Sequence, residues 1–186
     1  IGYNHLNDNY GSQENDIRFI SKWQLPAVNK SLDVDLNLWY FNSQYDSLYT
    51  GAIAENLYSQ GTFQLQFRPH ITTAYNEIIF DFGLNLYSVA QTDNRIPEAK
   101  NDVYFFPEIV VSYPIVKNVL QLSGGIKGSL QRNTFQQLVA QNPYLLPGQT
   151  HRPQRTTDLF INLSGKLSST TSFRLQGGLK QMAGKA

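Results

Sequence analysis

The sequence predicts an all-β fold, an antiparallel up-and-down barrel, because apolar and polar residues alternate along most of the chain. Over residues 32–38, every even position is apolar and every odd position is polar. A strand places such polar residues on one face, whereas a helix would scatter them around its circumference. Aromatic residues make up 13% of the 186 residues and charged residues only 16%, a balance typical of β structure. We therefore predict a single β-barrel domain or barrel fragment over residues 1–186, with no plug domain.

The alternation predicts about eight strands, which could close alone or form an arc of a larger barrel. We expect the strands at about 17–25, 31–42, 62–70, 77–89, 103–113, 119–131, 157–167 and 172–181. Residues 1–16 are rich in turn-forming residues and are predicted to form a loop. Long polar loops are predicted at 43–61, 90–102 and 132–156, with short turns at the opposite end. This alternation of connections is typical of a meander.

Three features favour a transmembrane barrel, with the apolar face toward lipid and the polar face toward the lumen. The predicted strands are long enough to cross a bilayer at a tilt. Their polar face carries mainly Gln, Asn, Ser and Gly rather than charges. Aromatic residues near the strand ends are predicted to form interfacial girdles: Trp23, Trp39, Tyr40, Tyr87, Tyr104 and Tyr113. A soluble lipocalin-like carrier with eight strands is the alternative.

Several segments in the second half resemble the barrel region of Bacteroidetes outer-membrane proteins of the TonB-dependent-receptor-like kind. They are residues 106–116, 120–128, 131–135, 142–144 and 165–168. The resemblance implies a barrel in the outer membrane of a Gram-negative bacterium. It implies no particular substrate and no functional residue.

The composition gives no support for catalysis or for nucleic-acid binding. The chain has no Cys, which excludes disulfides and thiolate metal sites, and its net charge is only +1. His5 and His151 are expected in long loops and His70 at the short-turn end, too scattered for a metal site. Gly124–Gly125 and Gly177–Gly178 fall inside strands, where glycine marks bends or close packing. We predict no enzyme activity, no cofactor, no metal and no nucleic-acid partner.

Charged residues on the polar face are the candidate site. They are Arg18, Lys22, Asp33, Asp35, Arg68, Asp81, Glu108, Lys127, Lys166, Arg174 and Lys180. The predicted hairpins place Lys22 roughly opposite Asp33 or Asp35, and Arg68 roughly opposite Asp81, where opposite charges stabilise a ladder. The last hairpin brings two cations roughly opposite each other, Lys166 and Arg174.

The charge is uneven along the chain. Residues 1–93 hold ten acidic and four basic residues, and residues 94–186 hold four acidic and eleven basic residues. We expect the basic stripe of the last strands to face acidic groups from elsewhere, an anionic solute, or solvent in the lumen.

The preferred function is a pore or receptor barrel for solute at the cell surface, in contact with outer-membrane lipid. The alternative is a structural or assembly barrel with a filled lumen, which binds other outer-membrane or periplasmic proteins through its long loops. Large apolar residues on the polar face favour a filled lumen: Ile20, Ile79, Phe106, Val110 and Phe160.

Overall fold

A computed structural model shows one antiparallel sheet of nine strands that follow one another in sequence order. It describes residues 1–7, 12–27, 30–45, 58–94, 96–132, 134, 142 and 153–183. The strands are β1 (Gly2–Asn7), β2 (Gln13–Ala27), β3 (Lys30–Tyr45), β4 (Tyr58–Tyr75), β5 (Ile78–Asp93), β6 (Ile96–Val116), β7 (Leu120–Gln131), β8 (Gln154–Lys166) and β9 (Ser172–Ala183). Among these residues β1 does not pair with β9, so the sheet is an open arc. The predicted all-β, up-and-down fold is confirmed.

No helix in the described ranges is long and apolar enough to cross a membrane.

Two segments predicted as loops are strands. Strand β1 lies within residues 1–16 and includes His5, whose ring lies 2.8 Å from the side-chain oxygen of Asn15 on β2. Strands β5 and β6 continue to Asp93 and from Ile96, through the predicted loop 90–102. Both segments carry polar residues on both faces, so apolar and polar residues do not alternate along them and the sequence did not predict strands there. The predicted loops 43–61 and 132–156, with His151, lie mostly outside the described residues.

The two faces of the sheet differ in polarity, as the alternation predicts. Ile161 and Leu175 are 58% and 65% exposed on the apolar face, whereas Gln64 and Glu108 are 2% exposed on the other face. We call the second the polar face. The polar face is concave. This is shown by Arg132, which follows β7 and contacts side chains of β2 and β3 on the opposite side of that face. A soluble barrel has the opposite arrangement, with its apolar side chains inside.

The turn between β4 and β5 is a tight two-residue turn. Asn76 and Glu77 have φ angles of 46° and 69°, and Tyr75 pairs with Ile78 on either side of them. Two positive φ angles are typical of the type I′ turn, whose twist matches that of the flanking strands. The Glu77 carboxylate accepts a hydrogen bond from Lys117 Nζ at 2.7 Å in the neighbouring turn, which raises the pKa of Lys117.

Replacing Glu77 with glycine is expected to stabilise the protein by about 1 kcal/mol, because a left-handed backbone strains a residue that has a Cβ. The exposed ion pair with Lys117 is lost, which offsets little of this gain. Asn76→Gly is the matched control, since asparagine tolerates positive φ and should gain less. Urea unfolding of the full-length protein measures both. An unfolding free energy that falls in Glu77→Gly would contradict the assigned strain.

Candidate functional site: the polar face of the sheet

An ion network crosses the polar face from β3 to β7. Arg68 on β4 donates to Glu108 on β6 through two bonds, Nε to Oε2 and Nη2 to Oε1, both 2.8 Å long. Its Nη1 also donates to Asp35 on β3, at 3.3 Å. Lys127 Nζ on β7 lies 3.0 Å from Glu108 Oε1. The Glu108 side chain is only 3% exposed, so its charge depends on both cations.

Arg68 reaches Glu108 across β5, where a glycine lies beside Glu108 and opposite His70, two residues along β4 from Arg68. Gly83 on β5 pairs with His70 on one side and with Glu108 on the other. A Cβ at Gly83 would lie 3.0 Å from the Cβ of His70 and 3.5 Å from that of Glu108. The missing side chain therefore leaves room for the guanidinium group to meet the carboxylate.

An amide chain runs beside the ion network, toward the long-loop end. Asn37 donates to Gln66 Oε1, and Gln66 Nε2 donates to both Asn85 Oδ1 and the Tyr87 hydroxyl, each at 2.9 Å. Asn85 Nδ2 in turn donates to the carbonyl oxygen of Gly128, at 3.0 Å. Hydrogen-bonded side chains thus connect β3 to β7 across the polar face.

A small buried cluster follows on the same face. Tyr87, Val89, Phe106 and Leu130 are each 7% exposed or less. The rings of Tyr87 and Phe106 meet edge to face, with centroids 5.8 Å apart. Packing of this kind fills the concavity between β5 and β7 with side chains.

Arg132 bridges the polar face at its long-loop end. Its Nη1 lies 3.6 Å from Asp16 Oδ1 on β2, and its guanidinium carbon lies 5.2 Å from the ring centroid of Trp39 on β3. Asp16 also accepts from Arg18, so two cations share this carboxylate. Burial lowers the pKa of Arg132 below its usual value, although that value is high enough for the group to stay charged.

Strands β7 to β9 carry a different set of side chains on the polar face. Phe160 on β8 is flanked by two glycines, Gly125 on β7 and Gly178 on β9. A Cβ at Gly125 would lie 2.2 Å from the Ile109 carbonyl oxygen, and one at Gly178 would lie 2.4 Å from that of Leu159. Only glycine fits such close backbone approaches, so the predicted close packing is found at Gly125 and Gly178 but not at Gly177.

Replacing Gly125 with alanine is expected to lower the free energy of unfolding by about 1–3 kcal/mol, because the added methyl group overlaps rigid backbone. Gly177→Ala is the matched control, since its Cβ would have no heavy atom nearer than 4.0 Å. The comparison is made by urea unfolding of the full-length protein in lipid vesicles. Equal stabilities of the two variants would show that the close approach at Gly125 does not constrain the sheet.

The structure brings four of the predicted charged residues together, namely Asp35, Arg68, Glu108 and Lys127. Lys22 lies directly opposite Asp35, and Asp33 contacts His70 Nε2 at 3.2 Å. Arg18 pairs with Asp16 on its own strand.

Two predicted pairings are wrong. Asp81 lies opposite Thr72 rather than Arg68, because β4 and β5 continue to the tight turn and this turn sets the register. Arg174 lies opposite Ser164, and Lys166 lies opposite Ser172, so these two cations are diagonal neighbours rather than partners.

The aromatic residues predicted as girdles are divided between the faces. Trp23, Tyr40 and Tyr113 lie on the apolar face, where they are 46–52% exposed. The register places the other three on the polar face: Trp39, Tyr87 and Tyr104. Trp39 contacts Arg132 there, and the ring of Tyr104 lies 5.4 Å from the guanidinium carbon of Arg155.

Sequence reasoning missed the amide chain and three ionic residues of the polar face: Asp16, Arg132 and Asp158. Strict alternation from Arg18 would have placed Asp16 on the polar face. Arg132 follows β7 and had no comparable signal. Among the described residues, no three His, Asp or Glu side chains lie close enough together to hold a metal ion.

Comparison with known proteins gives structural but no sequence relatives. No family model matches the chain, and no curated protein matches it. The ferripyoverdine receptor of the outer membrane of Pseudomonas aeruginosa is similar in structure, with a TM-score of 0.61 at 10% identity over 92% of this chain and 25% of the receptor. The copper transporter OprC has a TM-score of 0.61 at 12% identity, over 92% of this chain and 30% of the transporter.

BauA, the ferric preacinetobactin receptor from Acinetobacter baumannii, has a TM-score of 0.54 at 12% identity, over 89% of this chain and 28% of that one. At these identities the likeness is one of fold. The chain has the antiparallel up-and-down sheet found in part of the barrel of these outer-membrane receptors. The chain spans between a quarter and a third of the length of these structures.

Proposed function

We propose that the chain forms part of the wall of a receptor or transport barrel in the outer membrane of a Gram-negative bacterium. The apolar face contacts lipid, and the polar face lines an interior through which a small solute is captured or passes. One observation carries this proposal: a continuous sheet exposes its apolar side chains on one face and joins its polar side chains on the other.

The backbone supports the same proposal. In lipid, every backbone N–H and C=O must be paired within the protein, which only a helix or a closed barrel achieves. The ladders extend along most of the strands from β2 to β6 and from β7 to β9, whereas β6 pairs with β7 over Ile109–Val116. Strands β2 to β9 have 12–21 residues. A bilayer requires about 9–11 residues per tilted strand. The longer strands therefore project beyond the hydrocarbon region, as expected for a receptor surface.

The fold and the resemblance of residues 106–168 to Bacteroidetes outer-membrane proteins together support a more specific proposal. We propose a TonB-dependent-receptor-like barrel of Bacteroidetes type. The structural relatives are two receptors and a transporter, which favours solute capture over catalysis.

A structural or assembly barrel is the second candidate. The buried cluster around Phe106 and the joined ion and amide networks fill the concavity over β3 to β7. A filled interior of this kind suits a barrel that binds partner proteins through its loops rather than one that passes solute.

The test is fractionation of the full-length protein followed by electrophoresis with and without boiling. We expect it in the outer-membrane fraction, extracted only by detergent, with a mobility that changes on boiling because the barrel is closed and stable before heating. Recovery in the aqueous fraction, with no mobility shift, would contradict the proposal.

A further inference from the structure

The polar face over β7 to β9 differs from the rest of the polar face in carrying more cations than carboxylates. Lys127, Lys166, Arg174 and Lys180 occur on these strands, and Asp158 is the only acidic residue after Glu108 in the sequence. Lys127 is already bound to Glu108. Within the described residues, Lys166, Arg174 and Lys180 make no ion pair. This face therefore carries an excess of positive charge.

The register arranges these side chains in rows across the three strands. Lys127, Asp158 and Lys180 form one row, and the next holds Phe160 between its two glycines. The third row consists of Ser123, Asn162 and Gln176, and the fourth of Gln121, Ser164 and Arg174. Neighbouring rows on one face lie about 7 Å apart, twice the rise per residue of a strand.

Open space lies above these rows. One hollow of about 690 Å³ is lined by Lys127, Asp158, Phe160, Arg174 and Lys180. A second hollow, of about 770 Å³, lies toward the short turns and shares Arg174 with the first. We call the first the basic hollow. Its volume falls within the range of about 300–1,000 Å³ usual for sites that bind small molecules.

Phe160 gives the basic hollow a planar apolar surface. The glycines on either side leave no side chain in the ring's row, and Lys127 Nζ lies 6.0 Å from the ring centroid. A ring can accept a stacked planar group. Arginine binds carboxylates through two parallel hydrogen bonds, and lysine supplies a point charge.

We infer that the basic hollow binds an anionic solute that carries carboxylate groups on a planar ring. Arg174 and Lys180 bind the carboxylates, and Phe160 packs against the ring. The inference rests on the proposed function, because it names the substrate class of the same interior face.

The test is calorimetric titration of the detergent-solubilised full-length protein with benzene-1,3,5-tricarboxylate. We expect saturable binding, which Arg174→Gln and Lys180→Gln each weaken about tenfold through loss of a charge-assisted hydrogen bond. Lys100→Gln is the matched control, since Lys100 pairs with Asp102 on β6 and does not line the basic hollow, and this variant should bind as the wild type does. Phe160→Leu should weaken this probe severalfold but leave propane-1,2,3-tricarboxylate unaffected.

Every variant is first checked for the heat-induced mobility shift of a folded barrel. A wild-type protein that shifts on heating but binds no tricarboxylate would overturn this inference and leave the proposed function standing. A protein without the shift would contradict the proposed function itself. If the wild type bound no tricarboxylate and Arg174→Gln were less stable than the wild type, an acidic segment of the protein would occupy the basic hollow instead. That result would also overturn the inference.

Discussion

Replacing Arg68 with methionine is expected to lower the free energy of unfolding by about 3 kcal/mol, because it leaves a buried carboxylate with one of its two cations. Arg68 makes both 2.8 Å bonds to Glu108 and a third bond to Asp35. In the variant, Lys127 is the one cation among the described residues that still pairs with Glu108, and Asn85 Nδ2 donates to Glu108 Oε2 at 3.5 Å. Urea unfolding of the full-length protein in phospholipid vesicles measures the loss.

Two further variants separate this network effect from a general loss of charge. Lys100→Met removes a pair with Asp102 in which the lysine side chain is 57% exposed, so we expect a change below about 0.5 kcal/mol. Adding Glu108→Gln to Arg68→Met removes the orphaned charge and should restore part of the stability. If Arg68→Met and Lys100→Met were equally stable, the Arg68–Glu108 pair would not hold the polar face together.

Ile161→Arg is expected to lower the free energy of unfolding by about 2–4 kcal/mol in lipid, because it places a charge on the lipid face near mid-span. Ile161 lies near the middle of β8 and its side chain is 58% exposed on the apolar face. Unfolding in vesicles is again the measurement.

Asn162→Arg is the matched control, one residue further along the same strand. Asn162 lies on the polar face and donates to Ser123 Oγ at 3.2 Å, so the variant loses one modest hydrogen bond of about 1 kcal/mol. Similar losses in the two variants would show that β8 does not have one face in lipid.

The side chains that share a face of each strand could be predicted from the sequence, because successive side chains of a strand point to opposite faces. In β3, Asp33, Asp35 and Asn37 fall on one face, and Val34 and Leu36 between them fall on the other. Strand β1 could not be predicted, since Asn4, His5 and Asn7 place polar groups on both faces.

The pairings were harder to predict than the faces, because register depends on where each turn lies. The short turn before Lys30 was located closely enough to place Lys22 opposite Asp35. The turn at Asn76 and Glu77 was assigned as a longer connection, which shifted Arg68 toward Asp81.

The contact between Arg68 and Glu108 joins strands that are not neighbours in the sheet. It depends on the curvature of the sheet and on the space left by Gly83. A pattern read one strand at a time contains neither piece of information.

We expect the apolar face of the sheet to contact acyl chains and the polar face to be shielded from them. This chain has no cysteine, so single cysteines introduced into it can carry a spin label at defined positions. The decisive measurement compares collisions with lipid-soluble oxygen and with a water-soluble nickel chelate, for the full-length protein in vesicles. We predict that labels at Phe82, Ile161 and Leu175 favour oxygen, and that labels at Asn162 and Gln176 do not. The reverse pattern, with the first three labels shielded from oxygen, would contradict the account.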